Sequence, residues 1–227
     1  SEVGINKLPS TWDELRAAAI ATTKRDSNGN MTRAGLNLDS PGAFFSYIQT
    51  AGGSVFSDDF SKLTFNSEAG KAVLTYWYEM IHTDKVFDKA FGSTQGGADD
   101  PFVTQKFAIQ SNSLLNGSQF YKTYIGDKFE YEFIPYPAGP SAEFATSFNL
   151  AGSNHGGLMG GFGLAIPNTA KHKLAGWNLI KWWITDTDSQ VRWSEISGLI
   201  PAKLSIIEEP RMKEIPNVRN VIDSLPY

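Results

Sequence analysis

The 227-residue chain has no cysteine. That excludes disulfides, thiol nucleophiles, iron–sulfur clusters and Cys-based zinc sites, while leaving the redox compartment open. It has no excess of basic charge: 20 Lys and Arg against 24 Asp and Glu give −4, without a basic cluster, which argues against nucleic acid as a partner. No stretch approaches the ~20 apolar residues that span a bilayer. The opening SEVGINKLPSTWDEL lacks the basic-then-apolar order of a signal peptide. Histidine is scarce, at 82, 155 and 172, never at metal-ligand spacing. There is no G-x-S-x-G elbow and no Gly followed by Lys-Ser or Lys-Thr, so neither an α/β-hydrolase nor a nucleotide phosphate loop is supported. The acidic pairs Asp58-Asp59, Asp99-Asp100 and Glu208-Glu209 read as solvated turns rather than glycosidase carboxylates. No metal, no cofactor and no catalysis are expected.

What is abundant is aromatic: 15 Phe, 8 Tyr and 6 Trp within a 41% hydrophobic composition, ample for a packed core. Rings cover the apolar C–H face of a sugar, and Asn, Gln, Ser and backbone groups bond its hydroxyls, so this composition suits a neutral polyhydroxyl ligand.

Strands alternating with helices predict an α/β fold. Thr11-Trp12-Asp13-Glu14 has capping-box spacing and opens a helix to about Lys24, closed by the turn Asp26–Asn30. Pro41 opens a second helix capped by Asp39 or Ser40 and ending at Gly52-Gly53. Lys62–Phe65 reads as a short strand, and Asn66 or Ser67 caps a helix to about Thr83, with Val73, Trp77, Met80 and Ile81 on one core-facing stripe. A short helix over 101–105, a strand over Phe107–Gln110 and a helix from Ser118 to Ile125 follow. Phe129–Ile134 alternates in part. The glycine-rich tract 152–163 runs into an apolar strand, Phe162–Ile166. A helix from Ala170 to Thr185 should turn Leu174, Trp177, Ile180 and Ile184 inward; another runs from Asp188 to Ser197 and stops at Gly198. Pro210, Pro216 and Pro226 break up the last 26 residues.

Four segments occur in a telling order. Pro9–Leu15 resembles a P-x-T-W-D-E-L signature, and Thr64–Gly70 a T-F-N-S-P-E-G strand-to-helix turn. FVTQKFAIQSNS, residues 102–113, resembles F-x-x-G-K-A-A-M-x-x-x-G. Gly160–Pro167, Ala175-Gly176-Trp177 and Gly198–Pro201 resemble G-G-x-G-L-A-I-P, A-A-W and G-Y-I-P. Together they resemble family 1 extracellular solute-binding proteins, the maltose-binding-protein-like receptors of ABC importers, over most of residues 9–201. Gln105, Ile109 and Leu199 depart from the pattern conservatively.

The resemblance implies a type II periplasmic-binding-protein-like clamshell. Residues 1–158 would form mainly its second lobe, 159–202 the hinge crossing and a returning first-lobe segment, and 203–227 the start of a C-terminal helical region. It implies a receptor outside the cytoplasm, periplasmic or lipid-anchored, that delivers a sugar to the importer's transmembrane subunits. By position it implies ligand contacts from Asp39, Ser40, Phe44 and Phe45, from Gln110, Ser111, Asn112 and Ser113, and from Met159, Gly160 and Gly161. A receptor for glycerol phosphate or another polyol is an alternative ligand reading, and a glycosidase an alternative of another class.

Overall fold

A computed structural model of the chain describes residues 3–92, 97–111, 118–150, 163–201 and 203–215. It divides into two compact units: residues 1–113 and 120–158 with residue 227, and residues 159–226 with 114–119.

In the first unit, helix α1 spans Trp12–Thr22, and the Thr11 hydroxyl accepts from the Glu14 amide at 3.2 Å. Glu14 completes the cap one residue further out than a capping box would: its carboxylate takes the Ser10 amide and the Ser10 hydroxyl, both at 2.7 Å. Strand β1 (Lys24–Arg25) turns through Asp26–Asn30 into β2 (Met31–Asn37), and β3 (Phe107–Gln110) lies parallel to β2, with Ala34, Leu36 and Asn37 opposite Phe107, Ile109 and Gln110. The sheet order is β1-β2-β3.

Helix α2 (Pro41–Thr50) and helix α3 (Glu68–Tyr78) pack with α1 over the sheet; α3 runs on into a π-helical turn, Glu79–Thr83. The three helices share one aromatic centre. Trp12 stacks on Tyr76 at 4.5 Å and meets Tyr47 edge-on at 5.5 Å. Its indole N–H donates to the Thr50 hydroxyl at 3.0 Å, and the Tyr76 hydroxyl donates to its carbonyl at 2.6 Å. Arg16 ties α1 to both ends of the π-turn, through Glu79 at its start (2.6 Å) and Asp84 just past its end (2.5 Å). A 3-10 turn (Lys89–Phe91) and helices α4 (Ser118–Tyr124) and α5 (Ala142–Ser147) follow.

Several sequence expectations change here. Strand β2 was not foreseen: its last four residues are all buried, so it lacks the alternation of a half-buried strand. Lys62–Phe65 makes only an isolated bridge, Leu63 to Phe56, and 101–105 is a run of turns rather than a helix. Residues 129–134 form no strand, yet their alternation is meaningful, because Phe129, Tyr131 and Phe133 all pack on a satellite cluster around Val103, Tyr121 and Ile125.

The second unit contains α6 (Lys173–Thr185), α7 (Thr187–Ser197), α8 (Leu204–Ile207) and α9 (Pro210–Lys213). Its core is Val191, Ile206 and Met212. Gly198 closes α7 at φ 71°, ψ 8°, the left-handed conformation that glycine adopts without strain. Residues 163–166 are not a strand. The inward face expected of α6 is also corrected: no residue of this helix is buried, and Leu174 is 72%, Trp177 53% and Ile184 47% exposed. Periodicity identifies which stripe of a helix is apolar; it does not supply a surface to cover it.

Candidate functional site

Parallel β2 and β3 end side by side, so the residues that follow them emerge at one edge of the sheet. Carboxyl ends of parallel strands are where open α/β sheets present ligand-binding groups. Asn37, buried at the end of β2, sits opposite Gln110 at the end of β3. The Asn37 side-chain oxygen accepts from the Asp39 amide at 3.0 Å, an Asx turn that fixes how the chain leaves the strand. Asp39 is half-buried; burial pushes its carboxyl above the usual carboxylate range, partly opposed by the positive charge of Lys89. Ser40 caps α2, its hydroxyl accepting from the Ala43 amide at 3.3 Å, which leaves its O–H as a donor.

Phe44 and Phe45 follow on the first turns of α2. Both are half-buried against the main core, 6.1 Å apart, and Phe44 meets Trp77 edge-on at 5.8 Å. They therefore pack as well as offering a partly exposed aromatic wall. Across the sheet edge Ser111 is buried, with its hydroxyl 3.5 Å from that of Tyr47. The structure thus gathers Asp39, Ser40, Gln110 and Ser111 at the ends of two adjacent strands, with Phe44 and Phe45 on the helix that starts there. Asn112, Ser113, Met159, Gly160 and Gly161 lie outside the described residues.

Sequence reasoning missed the supports beneath this edge. Tyr47 is fully buried, and its hydroxyl is held in the neutral form by that burial. It links α2 to Ser111 and takes Tyr136 edge-on at 5.6 Å. Tyr136 shares a hydrogen bond with Ser46, and burial pushes its phenol up to about 12. Tyr47 lies three residues beyond Phe44, on a neighbouring face of α2, and that helical spacing was the one available signal. Asp39 is the acidic member of the set, and among the described residues no group of three His, Asp or Glu side chains could hold a metal ion. Of the acidic pairs, Asp59 is an exposed turn residue held near 2 by hydrogen bonds from Ser57 and Ser61. Asp100 is buried and accepts from the Phe102 amide at 2.8 Å.

The family described as bacterial extracellular solute-binding protein matches residues 6–220, and the chain belongs to that family. Curated proteins give no match. Among solved structures the chain is similar to maltose-bound MalE3 of T. maritima (TM-score 0.74, 21% identity, 99% of this chain and 56% of that one). It is also similar to a tagatose-bound ABC transporter solute-binding protein of Thermotoga lettingae (0.72, 18%, 99% and 54%). A third is the maltotriose-bound maltose/maltodextrin-binding domain MalE of Bdellovibrio bacteriovorus (0.70, 20%, 98% and 55%). The fold is therefore the type II periplasmic-binding-protein-like α/β fold, and this chain spans little more than half the length of these structures.

Proposed function

We propose that the chain is the carbohydrate-recognising part of a substrate-binding receptor, one that captures a mono- or oligosaccharide outside the cytoplasm and passes it to the transmembrane subunits of an ABC importer without chemical change. In this reading residues 1–158 are mainly the second lobe, 159–202 the hinge crossing with a returning first-lobe segment, and 203–227 the start of a C-terminal helical region. The receptor works in the periplasm or at the cell surface on a lipid anchor.

The observation that carries the reading is the pairing of Asn37 with Gln110 at the ends of β2 and β3, from which Asp39-Ser40 and Ser111 follow directly, with Phe44 and Phe45 on the helix that starts there. A sugar needs that combination: hydroxyl, amide and carboxylate groups for its O–H groups and an aromatic surface for its C–H face. Membership of a solute-binding family, with maltose, tagatose and maltotriose in the matched structures, supports the ligand class. Among the described residues this edge carries one carboxylate, Asp39, where glycoside cleavage uses two. The test is an NMR titration of the chain with maltose, tagatose and mannobiose at millimolar concentration. Saturable shifts centred on Asp39, Gln110 and Ser111 with at least one sugar, and no cleaved product, are expected. Shifts confined to other residues would overturn the site, and released monosaccharide would overturn the receptor reading.

A further inference from the structure

The other end of β2 carries a second concavity. A cleft of about 570 Å³ opens between the β1–β2 turn, the π-helical turn and the segment 85–91. Its lining takes Met31 from the first position of β2 and shares no residue with the set Asp39, Ser40, Phe44, Phe45, Gln110 and Ser111. It is a separate feature from the candidate sugar site.

Four properties converge there. The lining is apolar where Met31, Ile81, Phe87 and Phe91 are only half-buried, and Phe87 and Phe91 are held in place by ring contacts with buried Phe107. The rim carries two cations, Arg25 and Lys85, against the one carboxylate of the lining, Asp88. The Arg25 guanidinium is fixed by donating to the carbonyls of Lys85 at 2.7 Å and Gly29 at 3.3 Å. Neither Arg25 nor Lys85 is in a salt bridge among the described residues.

Of the acidic groups nearby, Glu79 and Asp84 are paired with Arg16, while Asp88 stays on the cleft lining as a carboxylate that accepts the Ala90 amide at 2.8 Å. The backbone is irregular at the same place. The π-turn Glu79–Thr83 is followed by Lys85 at φ 54°, a left-handed conformation that costs a lysine about 1 kcal/mol or more. π-turns concentrate at functional sites, and strained backbone persists where surrounding structure enforces it.

We infer that this cleft binds a small carboxylate bearing an apolar arm, the arm lying on Phe87, Phe91, Ile81 and Met31 and the carboxylate between Arg25 and Lys85. A neutral sugar would leave the two cations unanswered and the apolar lining wet. A bare inorganic anion would use the rim but not the lining, and an uncharged apolar molecule the reverse. The two parts of the cleft together select the amphipathic anion.

The test is an NMR titration of the 227-residue chain with 4-phenylbutyrate, with 4-phenylbutanol and inorganic phosphate as controls. Saturable shifts at Arg25, Lys85 and Phe91 are expected with phenylbutyrate, at least five-fold tighter than with either control, and weakening as salt is added. Lys85→Gly removes one cation while giving the φ 54° position a residue that accepts it, so binding should fall at least five-fold with no loss of melting temperature; Lys85→Arg should restore it. Equal binding of the alcohol or of phosphate, unchanged affinity in Lys85→Gly, or shifts that miss these residues would each overturn the inference. Because the readout needs no sugar, its failure is distinguishable from failure of the receptor reading.

Discussion

Asp39 is held against its own preference. Its carboxyl is pushed above the ordinary value of 3.8 by burial, so the native state favours the protonated form more than the unfolded chain does. A carboxylate shifted in that direction costs stability as the pH rises from its unfolded value through its folded one, and the cost is absent at low pH. Asp39→Asn should therefore raise the melting temperature at pH 7 and leave it unchanged near pH 3. If Asp39 contacts the sugar, the same change should weaken binding by about 1–3 kcal/mol. A variant more stable yet weaker in binding is the signature of a residue kept for ligand recognition; lower stability at pH 7 would show that the carboxylate is a structural asset. Glu14 is the opposite case. Hydrogen bonds from the Ser10 side chain and backbone, then Lys7, draw it from 4.5 to about 2. The native state then binds fewer protons than the unfolded chain between those values, so the Glu14 contribution is present above pH 4.5 and is lost as pH falls toward about 2. Acid unfolding of Glu14→Gln should show a shallower dependence on pH across that window; curves that parallel the wild type would remove Glu14 from the account.

At the scale of elements, legibility in the sequence followed whether a signal is local. Caps at Thr11, Ser40, Ser67 and Gly198 are local chemistry, and all four stand where the residues pointed. β2 escaped because all four residues of its C-terminal half are buried whichever face they point to, and the contacts that bury them, α1 against Gly35 among them, join distant parts of the sequence and erase period-two patterning. α6 shows the converse, an apolar stripe correctly located but wrongly assumed to be covered. Within the candidate site, Asp39, Ser40, Gln110 and Ser111 were reachable by resemblance. Tyr47 and Tyr136 were not, because their part is to brace the edge from beneath through a fold that only the coordinates display. Gly35, in the middle of β2, reports how tight that fold is. An added Cβ would sit on the Ala19 carbonyl of α1, a backbone atom that no side-chain rotation can move. Gly35→Ala should thus cost about 1–3 kcal/mol as α1 is pushed off the sheet, even though alanine is the less entropically costly residue in a strand. Urea unfolding measures this, and a neutral or stabilising result would mean that α1 and β2 are less closely apposed.

On the scale of the whole molecule, affinity should be limited by how much of a ligand this chain can enclose. Binding clefts of high affinity bury most of the ligand surface, and hydrogen bonds gain strength only where water is excluded from both ends. In the proposed reading the sheet edge at Asn37 and Gln110 provides one wall: half-buried Asp39 and Phe45 still meet solvent, and Ser40 and Ser111 already spend part of their hydrogen-bonding capacity within the protein. The matched sugar-bound structures are nearly twice as long, with 56% of the T. maritima protein covered. A clamshell closes by bringing a second wall over the first, and closure is the state that the ligand stabilises. With one wall, a disaccharide keeps its opposite face hydrated and gains nothing from closure. Each 1.4 kcal/mol of interaction left unmade costs a factor of ten. Two or three hydroxyl groups without partners, at about 1 kcal/mol each, together with the uncovered ring face, come to roughly a hundred-fold. Calorimetry with maltose on this 227-residue chain, run beside the T. maritima receptor under the same conditions, should show binding weaker by at least that factor. Matching affinities would mean that the groups at the ends of β2 and β3 suffice for recognition without a second wall.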